Sequence, residues 1–286
     1  MEPLVVSLVG EEKTGKSTFA TTAPPPVAYA ELDPGGLDRA IWRLNDKAKA
    51  NIHRANFYVP QQADPTSLAT LRSTIQLKRE GKIANRANLR QVQNGALVGM
   101  TELWYEFLSW YIEQLDDPAI RSIVIDSGSL LWDLCHQSHL QEIQSLSPGR
   151  TSLTSFEYAD PNTKMKGIIA AAQQTDKNLI FIHHTDNEYQ DVIIDGKKES
   201  IVAGQKHKGW NHIRPLIDLE LWFDLKTANK TTTNESKISL SGVTMRGVGR
   251  TYPNPTWDLV MNDLDAQRTI ELMEIDAASM GLNITP

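Results

Sequence analysis

The sequence has little of three features that define large classes of protein: cysteine, long apolar segments and excess positive charge. Its 286 residues include one cysteine, Cys135, so no internal disulfide can form and no multi-cysteine zinc site is expected. Its mean hydropathy is -0.36, and no apolar run is long enough to predict a membrane-spanning helix. With 29 Lys and Arg against 35 Asp and Glu, the formal charge is -6. Any contact with nucleic acid therefore has to be local.

The beginning of the chain also lacks a targeting signal. Met1-Glu2-Pro3 leads directly into an apolar run, without the basic region and small-residue cleavage site of a secretory signal. Together with the single cysteine, this start predicts a cytoplasmic protein with no membrane partner. The length allows one large domain or two modest ones.

Apolar runs alternate with helical patterns along most of the chain. Continuous apolar runs are typical of buried parallel strands, and they occupy residues 4–9, 27–32, 122–126 and 178–184. A hairpin is predicted to turn on Asp195-Gly196, and late strands on residues 219–225 and 237–243. The pattern predicts an α/β fold, a mostly parallel twisted sheet flanked by helices, with a β-hairpin and late antiparallel strands. We expect one domain over residues 1–265, with a helical insertion at about 61–100, and a helical tail over 266–286.

One motif predicts a nucleotide site. Residues 10–17 match G-x-x-x-x-G-K-S and lie between an apolar strand and a helix start, as a P-loop requires. Backbone N–H groups of such a loop wrap a phosphate chain, Lys16 would reach the β- and γ-phosphates, and Ser17 would bind magnesium. The expected cofactors are therefore ATP and Mg²⁺. The residues predicted to bind the nucleotide are Gly10, Glu11, Glu12, Lys13, Thr14, Gly15, Lys16, Ser17 and Thr18.

Carboxylates follow two of the predicted strands. Asp126 ends an apolar strand and is predicted to lie beside the magnesium ion with Ser17; the alternative is a structural cap on the next helix. Glu31 and Asp33 end the second strand, where either would orient or deprotonate the attacking water. The alternative for this pair is a turn without catalysis, because Asp-Pro-Gly-Gly is good turn chemistry.

Basic and polar residues later in the chain suggest sensing and DNA contacts. His184 ends a buried strand and is predicted to contact the γ-phosphate; a structural histidine is the alternative. Arg246 follows a late strand and is predicted to reach the γ-phosphate of a neighbouring protomer. Lysines of the hairpin region, near an aromatic residue, suit single-stranded DNA, whereas a solvated hairpin is the alternative. These lysines are Lys197, Lys198, Lys206 and Lys208.

In this order and spacing, these residues resemble the RecA-like P-loop ATPases, most closely the compact phage-encoded type linked to single-strand annealing and recombination. The segments that carry the resemblance are residues 10–20, 31–37, 123–127 with 131–132, 180–185, and 245–246 with 254–257. The resemblance implies a RecA-like core that binds ATP between protomers, hydrolyses it and couples the cycle to DNA. It also implies that Glu31 or Asp33 is the catalytic carboxylate, His184 the sensor and the lysine hairpin a DNA-binding loop, in a bacterial or phage-infected cytoplasm.

Three other functions fit parts of the pattern. A P-loop kinase of a nucleotide or small metabolite needs an arginine-rich lid, for which residues 78–90 are the candidate. Residues 32–36 suit a partitioning ATPase, but Lys13 does not have the spacing of that signature lysine. The third is a nucleotide-dependent assembly or regulatory module without turnover, against which the intact Lys16, Ser17 and Asp126 argue.

Overall fold

The computed structural model describes residues 3–58, 99–194, 197–224, 230–233, 238–240, 243–245 and 251–279. Within these ranges the helices are α1 (Lys16–Ala20), α2 (Gly36–Ile41), α3 (Asp46–Ala50), α4 (Met100–Asp116), α5 (Gly128–Leu146), α6 (Ala159–Ala172) and α7 (Trp257–Ser279). The strands are β1 (Val5–Gly10), β2 (Val27–Glu31), β3 (Ile52–Asn56), β4 (Ser122–Asp126), β5 (Asn178–His183), β6 (Thr185–Ile194), β7 (Lys197–His207), β8 (Leu219–Asp224), β9 (Lys230–Thr233), β10 (Ile238–Leu240), β11 (Val243–Met245) and β12 (Thr251–Pro253).

Eight of these strands form one sheet, in the order β12-β9-β8-β1-β5-β4-β2-β3. The six strands from β8 to β3 are parallel, whereas β9 and β12 are antiparallel to their neighbours. Every residue of β1, β2 and β4 is buried, as expected for strands covered by helices on both faces. The predicted α/β class, with a mostly parallel sheet and late antiparallel strands, is confirmed.

Helices cover both faces of the sheet and divide the core into two layers. On one face, Phe19 of α1 and Trp257, Val260 and Leu264 of α7 pack against β1, β5 and β8. On the other face, α4, α5 and α6 bury aromatic and aliphatic side chains in a second cluster. Tyr111 of α4 adds a hydrogen bond of 2.8 Å to the Ile168 carbonyl of α6. The two layers hold the sheet between them, and the sheet in turn positions the residues at the carboxyl ends of its parallel strands.

The strand register brings chemistry-bearing residues to that edge. Val9, which precedes Gly10 of the nucleotide loop, is opposite His183, and Glu31 is opposite Asp126 on the neighbouring strand. The ends of parallel strands share one edge of a sheet, where ligands of open α/β folds bind.

Strands β6 and β7 form a separate antiparallel hairpin at the same edge, so the predicted hairpin is confirmed. The ladder runs from Thr185 opposite His207 to Ile194 opposite Lys197, with a bulge between Glu188 and Tyr189. Most of its described side chains are exposed, including Tyr189 at 60%. The predicted turn residues, 195 and 196, lie outside the described residues.

The expected domain limits stay predictions. The expected boundary at residue 265 falls inside α7, whose Leu264 is fully buried. Most of the expected helical insertion and the kinase-lid segment lie in residues 59–98, outside the described residues. No described helix is long and apolar enough to cross a membrane.

Candidate nucleotide-binding site

The predicted nucleotide loop connects β1 to α1, and its glycines are required by the local geometry. A Cβ on Gly10 would lie 2.6 Å from the Phe223 carbonyl oxygen, so no larger residue fits beside β8. Gly15 precedes α1 with φ of 96°, a backbone conformation that favours glycine. The loop is thereby held close to the sheet, with the first turn of α1 directly behind it.

Lys16 is buried inside this loop and donates to its backbone. Its Nζ lies 2.8 Å from the Gly10 carbonyl oxygen and also contacts the Glu11 carbonyl oxygen. Burial lowers the pKa of Lys16 to about 8, although the nearby carboxylate of Asp126 acts in the opposite direction. The carbonyl oxygens hold the ammonium group where a phosphate oxygen would compete for it.

Asp126 joins the loop to the sheet through two hydrogen bonds to the same oxygen. Ser17 Oγ donates to Asp126 Oδ2 at 2.8 Å, and Tyr29 Oη donates to it at 2.5 Å. Burial raises the pKa of Asp126 and, with the neighbouring Asp126 charge, that of Tyr29. No sequence pattern points to Tyr29, because it lies 97 residues from Asp126 and contacts it only in the folded sheet.

Ser17 and Asp126 also suit magnesium. Both present oxygen atoms, the ligands that Mg²⁺ prefers, and the two atoms lie within hydrogen-bond distance of each other. A hydroxyl and a carboxylate at the end of a P-loop would hold the ion against the β- and γ-phosphates.

Two carboxylates belong to the turn between β2 and α2, residues 31–36, here called the acidic turn, and their surroundings differ. Glu31 is fully buried, where it forms an ion pair with Arg54 and accepts from the Leu37 amide at 3.0 Å and the Tyr58 hydroxyl at 2.9 Å. Asp33, in contrast, lines the cleft beside Lys16 and Asp126. Glu31 therefore holds the turn in place, whereas Asp33 has a carboxylate free to meet water.

The two histidines that end β5 also differ. His184 Nε2 lies 3.8 Å from Asp33 Oδ2, and burial and the charge of Lys16 lower its pKa. His183 is fully buried against Gly128, and burial lowers its pKa to about 3. Both imidazoles are therefore neutral near pH 7, and His184 alone of the two faces the cleft.

These residues surround a cleft of about 330 Å³, within the range of small-molecule sites. The cleft includes Arg39 and Ala40 of α2, which belong to no recognisable motif in the sequence. Among the predicted residues it includes Glu12, Lys13, Thr14, Gly15, Lys16, Ser17, Thr18, Asp33, Asp126 and His184.

A second cavity of about 400 Å³ adjoins the cleft, sharing Glu12, Asp33 and His184 with it. Its other lining includes Glu11, Asp133 and Lys208, so carboxylates outnumber cations. Residues of the nucleotide loop and Thr185 at the base of the hairpin both line it.

The predicted DNA-binding lysines lie on or beside the hairpin. Lys198 pairs with Asp191 at 2.7 Å, and Lys206 is opposite Asp186 in the ladder. Lys208 lines the second cavity. The Lys197 side chain and Arg246 lie outside the described residues. Residues 185–207 contain five acidic residues and three lysines, so the hairpin itself is not basic.

Comparison with known proteins identifies the family. The family model described as an AAA domain matches residues 2–258, which include the nucleotide loop, the whole cleft and the hairpin. No curated protein matches the chain.

Proposed function

The chain belongs to the AAA domain family, and on this premise we propose that it hydrolyses ATP with Mg²⁺ in a RecA-like core and couples hydrolysis to DNA, in phage-type recombination or single-strand annealing. Membership of the family supports a nucleotide-binding P-loop ATPase domain. The observation that carries the proposal is the single cleft in which Lys16, Ser17, Asp126, Asp33 and His184 meet.

Each residue of the cleft has a distinct role in the proposed hydrolysis. Lys16 would exchange the Gly10 carbonyl for phosphate oxygens, and Ser17 and Asp126 would hold Mg²⁺, which supplies charge neutralisation when bound. Asp33 would orient the attacking water and accept its proton. His184, neutral and 3.8 Å from Asp33, would donate a hydrogen bond to the γ-phosphate without adding charge to the cleft.

We also propose single-stranded DNA as the partner of the hairpin, and a homo-oligomer with nucleotide between protomers. The exposed ladder, its lysines and Tyr189 support the first proposal, because charge and aromatic stacking together bind single strands. The acidic second cavity supports the second, because a cation of a neighbouring protomer, such as Arg246, would fit beside the γ-phosphate. Because acidic residues outnumber lysines on the hairpin, we expect its binding to DNA to be weak.

Steady-state hydrolysis with Mg²⁺, with and without single-stranded DNA, tests the proposal. We expect DNA to stimulate hydrolysis, and we expect Lys16→Ala and Asp126→Ala to abolish it while thermal unfolding stays cooperative. Lys47→Ala, on exposed α3 outside the cleft, is the matched control and should keep full activity. Undiminished hydrolysis by Lys16→Ala would contradict the assignment of the loop, and hydrolysis indifferent to DNA would contradict the DNA coupling alone.

Charge reversal at Lys197 and Lys198 tests the hairpin. Binding of single-stranded DNA should weaken and lose part of its salt dependence, since fewer counterions are released. Nucleotide affinity should not change, because Lys198 does not line the cleft and both lysines belong to the end of the ladder far from Thr185 and His207. Unchanged DNA binding at every salt concentration would show that the hairpin serves another purpose.

A further inference from the structure

Arg39 is a cation in the cleft that the nucleotide loop does not explain. It belongs to α2, the helix that follows the acidic turn, and it lines the cleft together with residues of the loop. Its Nη1 atom lies 3.8 Å from where a Cβ on Gly35 would be. The guanidinium group is therefore close to the turn that carries Asp33. Gly36 follows Gly35 in this turn, and a Cβ on Gly36 would lie 3.3 Å from Asp126 Oδ2.

Arg39 is also unpaired. Among the residues that the structure describes, none forms an ion pair or hydrogen bond with its guanidinium group, whereas nearby Arg54 binds both Glu31 and Asp38. The side chain is exposed to the solvent of the cleft. Its five N–H donors, arranged in a planar fork, are thus free for a ligand with matching oxygens.

The charged residues that line the cleft indicate what net charge its ligand can carry. Three cations line it, Lys13, Lys16 and Arg39, and they balance the three carboxylates of Glu12, Asp33 and Asp126. A magnesium-bound triphosphate brings roughly two net negative charges. Without Arg39 the lining would itself be negative, which would oppose binding of that ligand.

We propose that Arg39 is a catalytic residue that binds the γ-phosphate in the same chain and makes the cleft select triphosphate over diphosphate. This inference rests on the proposed ATP hydrolysis. As the bond from γ-phosphorus to the bridging oxygen breaks and the bond to the water oxygen forms, Arg39 donates N–H groups to the equatorial oxygens and transfers no proton. A bidentate arginine suits this geometry better than lysine does.

Paired measurements of binding and turnover on Arg39→Gln and Arg39→Lys test the inference. Arg43→Gln is the matched control, since it removes the same charge four residues later, where the guanidinium lies 4.6 Å from the Trp42 ring centroid and outside the cleft. Calorimetry with Mg²⁺ would compare ADP with a non-hydrolysable ATP analogue, and steady-state assays would give kcat.

We expect Arg39→Gln to lower affinity for the analogue about tenfold or more, to change affinity for ADP less than about twofold, and to lower kcat about a hundredfold or more. Arg39→Lys should recover part of the analogue affinity, and Arg43→Gln should resemble the wild type. An equal loss for both nucleotides, or no loss, would overturn the role at the γ-phosphate. A wild type that binds neither nucleotide would instead contradict the proposed function itself, so the two failures are distinguishable.

Discussion

The buried charge of Lys16 gives nucleotide binding a measurable pH dependence. In the free protein burial holds the pKa of Lys16 at about 8, and the negative charge of a bound triphosphate raises it. Below pH 8 the ammonium form already dominates, so affinity is constant with respect to this group. Above pH 8 binding takes up one proton, and affinity falls about tenfold per pH unit until the pKa of the bound state is reached.

The magnitude follows from these two states. Between pH 7.5 and 9.5 a free-state pKa of about 8 and a bound-state pKa above that range predict a loss of affinity of about 25-fold, roughly 1.9 kcal/mol. The phosphate itself ionises near pH 6, below this window, and His183 titrates near pH 3. Calorimetric titration with a non-hydrolysable ATP analogue at saturating Mg²⁺ measures the slope.

The substitution Lys16→Arg tests whether the pH dependence of affinity comes from Lys16 or from another group. Lys16→Arg stays charged throughout the window, so its affinity, although lower, should not vary with pH. Lys13→Met, which removes the other lysine of the loop, should keep the slope of the wild type. A wild-type affinity that is flat from pH 7.5 to 9.5, or a slope that survives in Lys16→Arg, would refute the burial of an ammonium group as its cause.

Four further substitutions, with one control, examine the cleft and the residues around it. Tyr29→Phe removes a hydrogen bond to Asp126 and should lower the apparent affinity for Mg²⁺ about tenfold or more, as read from the Mg²⁺ dependence of hydrolysis, whereas Tyr58→Phe should not. Asp33→Asn should lower kcat by about 10² or more with unchanged unfolding. Arg54→Ala removes the ion-pair partner of the buried Glu31 and should lower the free energy of unfolding, measured in urea, by about 2 kcal/mol. This value is smaller than for a fully buried pair because Arg54 is partly exposed. Gly128→Ala, whose Cβ would lie 2.6 Å from the His183 ring, should destabilise the fold by about 1–3 kcal/mol. Stability equal to the wild type would show that α5 can shift away from β5 without loss of stability.

The sequence predicts best those features that depend on neighbouring residues. The apolar runs of β1, β4 and β5 are local signals, and the strands that they predict are confirmed, as is the hairpin of β6 and β7. β3 is different, because the structure pairs residues 52–56 with β2 although no apolar run marks this segment. Its polar residues, such as His53 and Arg54, carry no strand pattern of their own, and the parallel pairing is a tertiary effect.

The surroundings of each carboxylate were not predictable for the same reason. Glu31 and Asp33 are two residues apart and equally acidic in the sequence, but Glu31 is bound by Arg54, 23 residues away. That ion pair forms only when β3 lies beside β2. Local spacing thus identified the pair, and the packing of the sheet edge distinguished its members.

Contacts at the base of the hairpin connect it to the cleft. Gln205 donates to the Glu11 carboxylate of the nucleotide loop at 3.0 Å. Ser129 donates to the Lys208 carbonyl at 2.7 Å and accepts from the His184 amide at 3.3 Å. A displacement of the loop or of the end of β5 would therefore act on the base of a ladder whose tip is about 30 Å away. Because coupling between two ligands is reciprocal, a partner that binds the hairpin more tightly with ATP present must raise the affinity for ATP by the same factor.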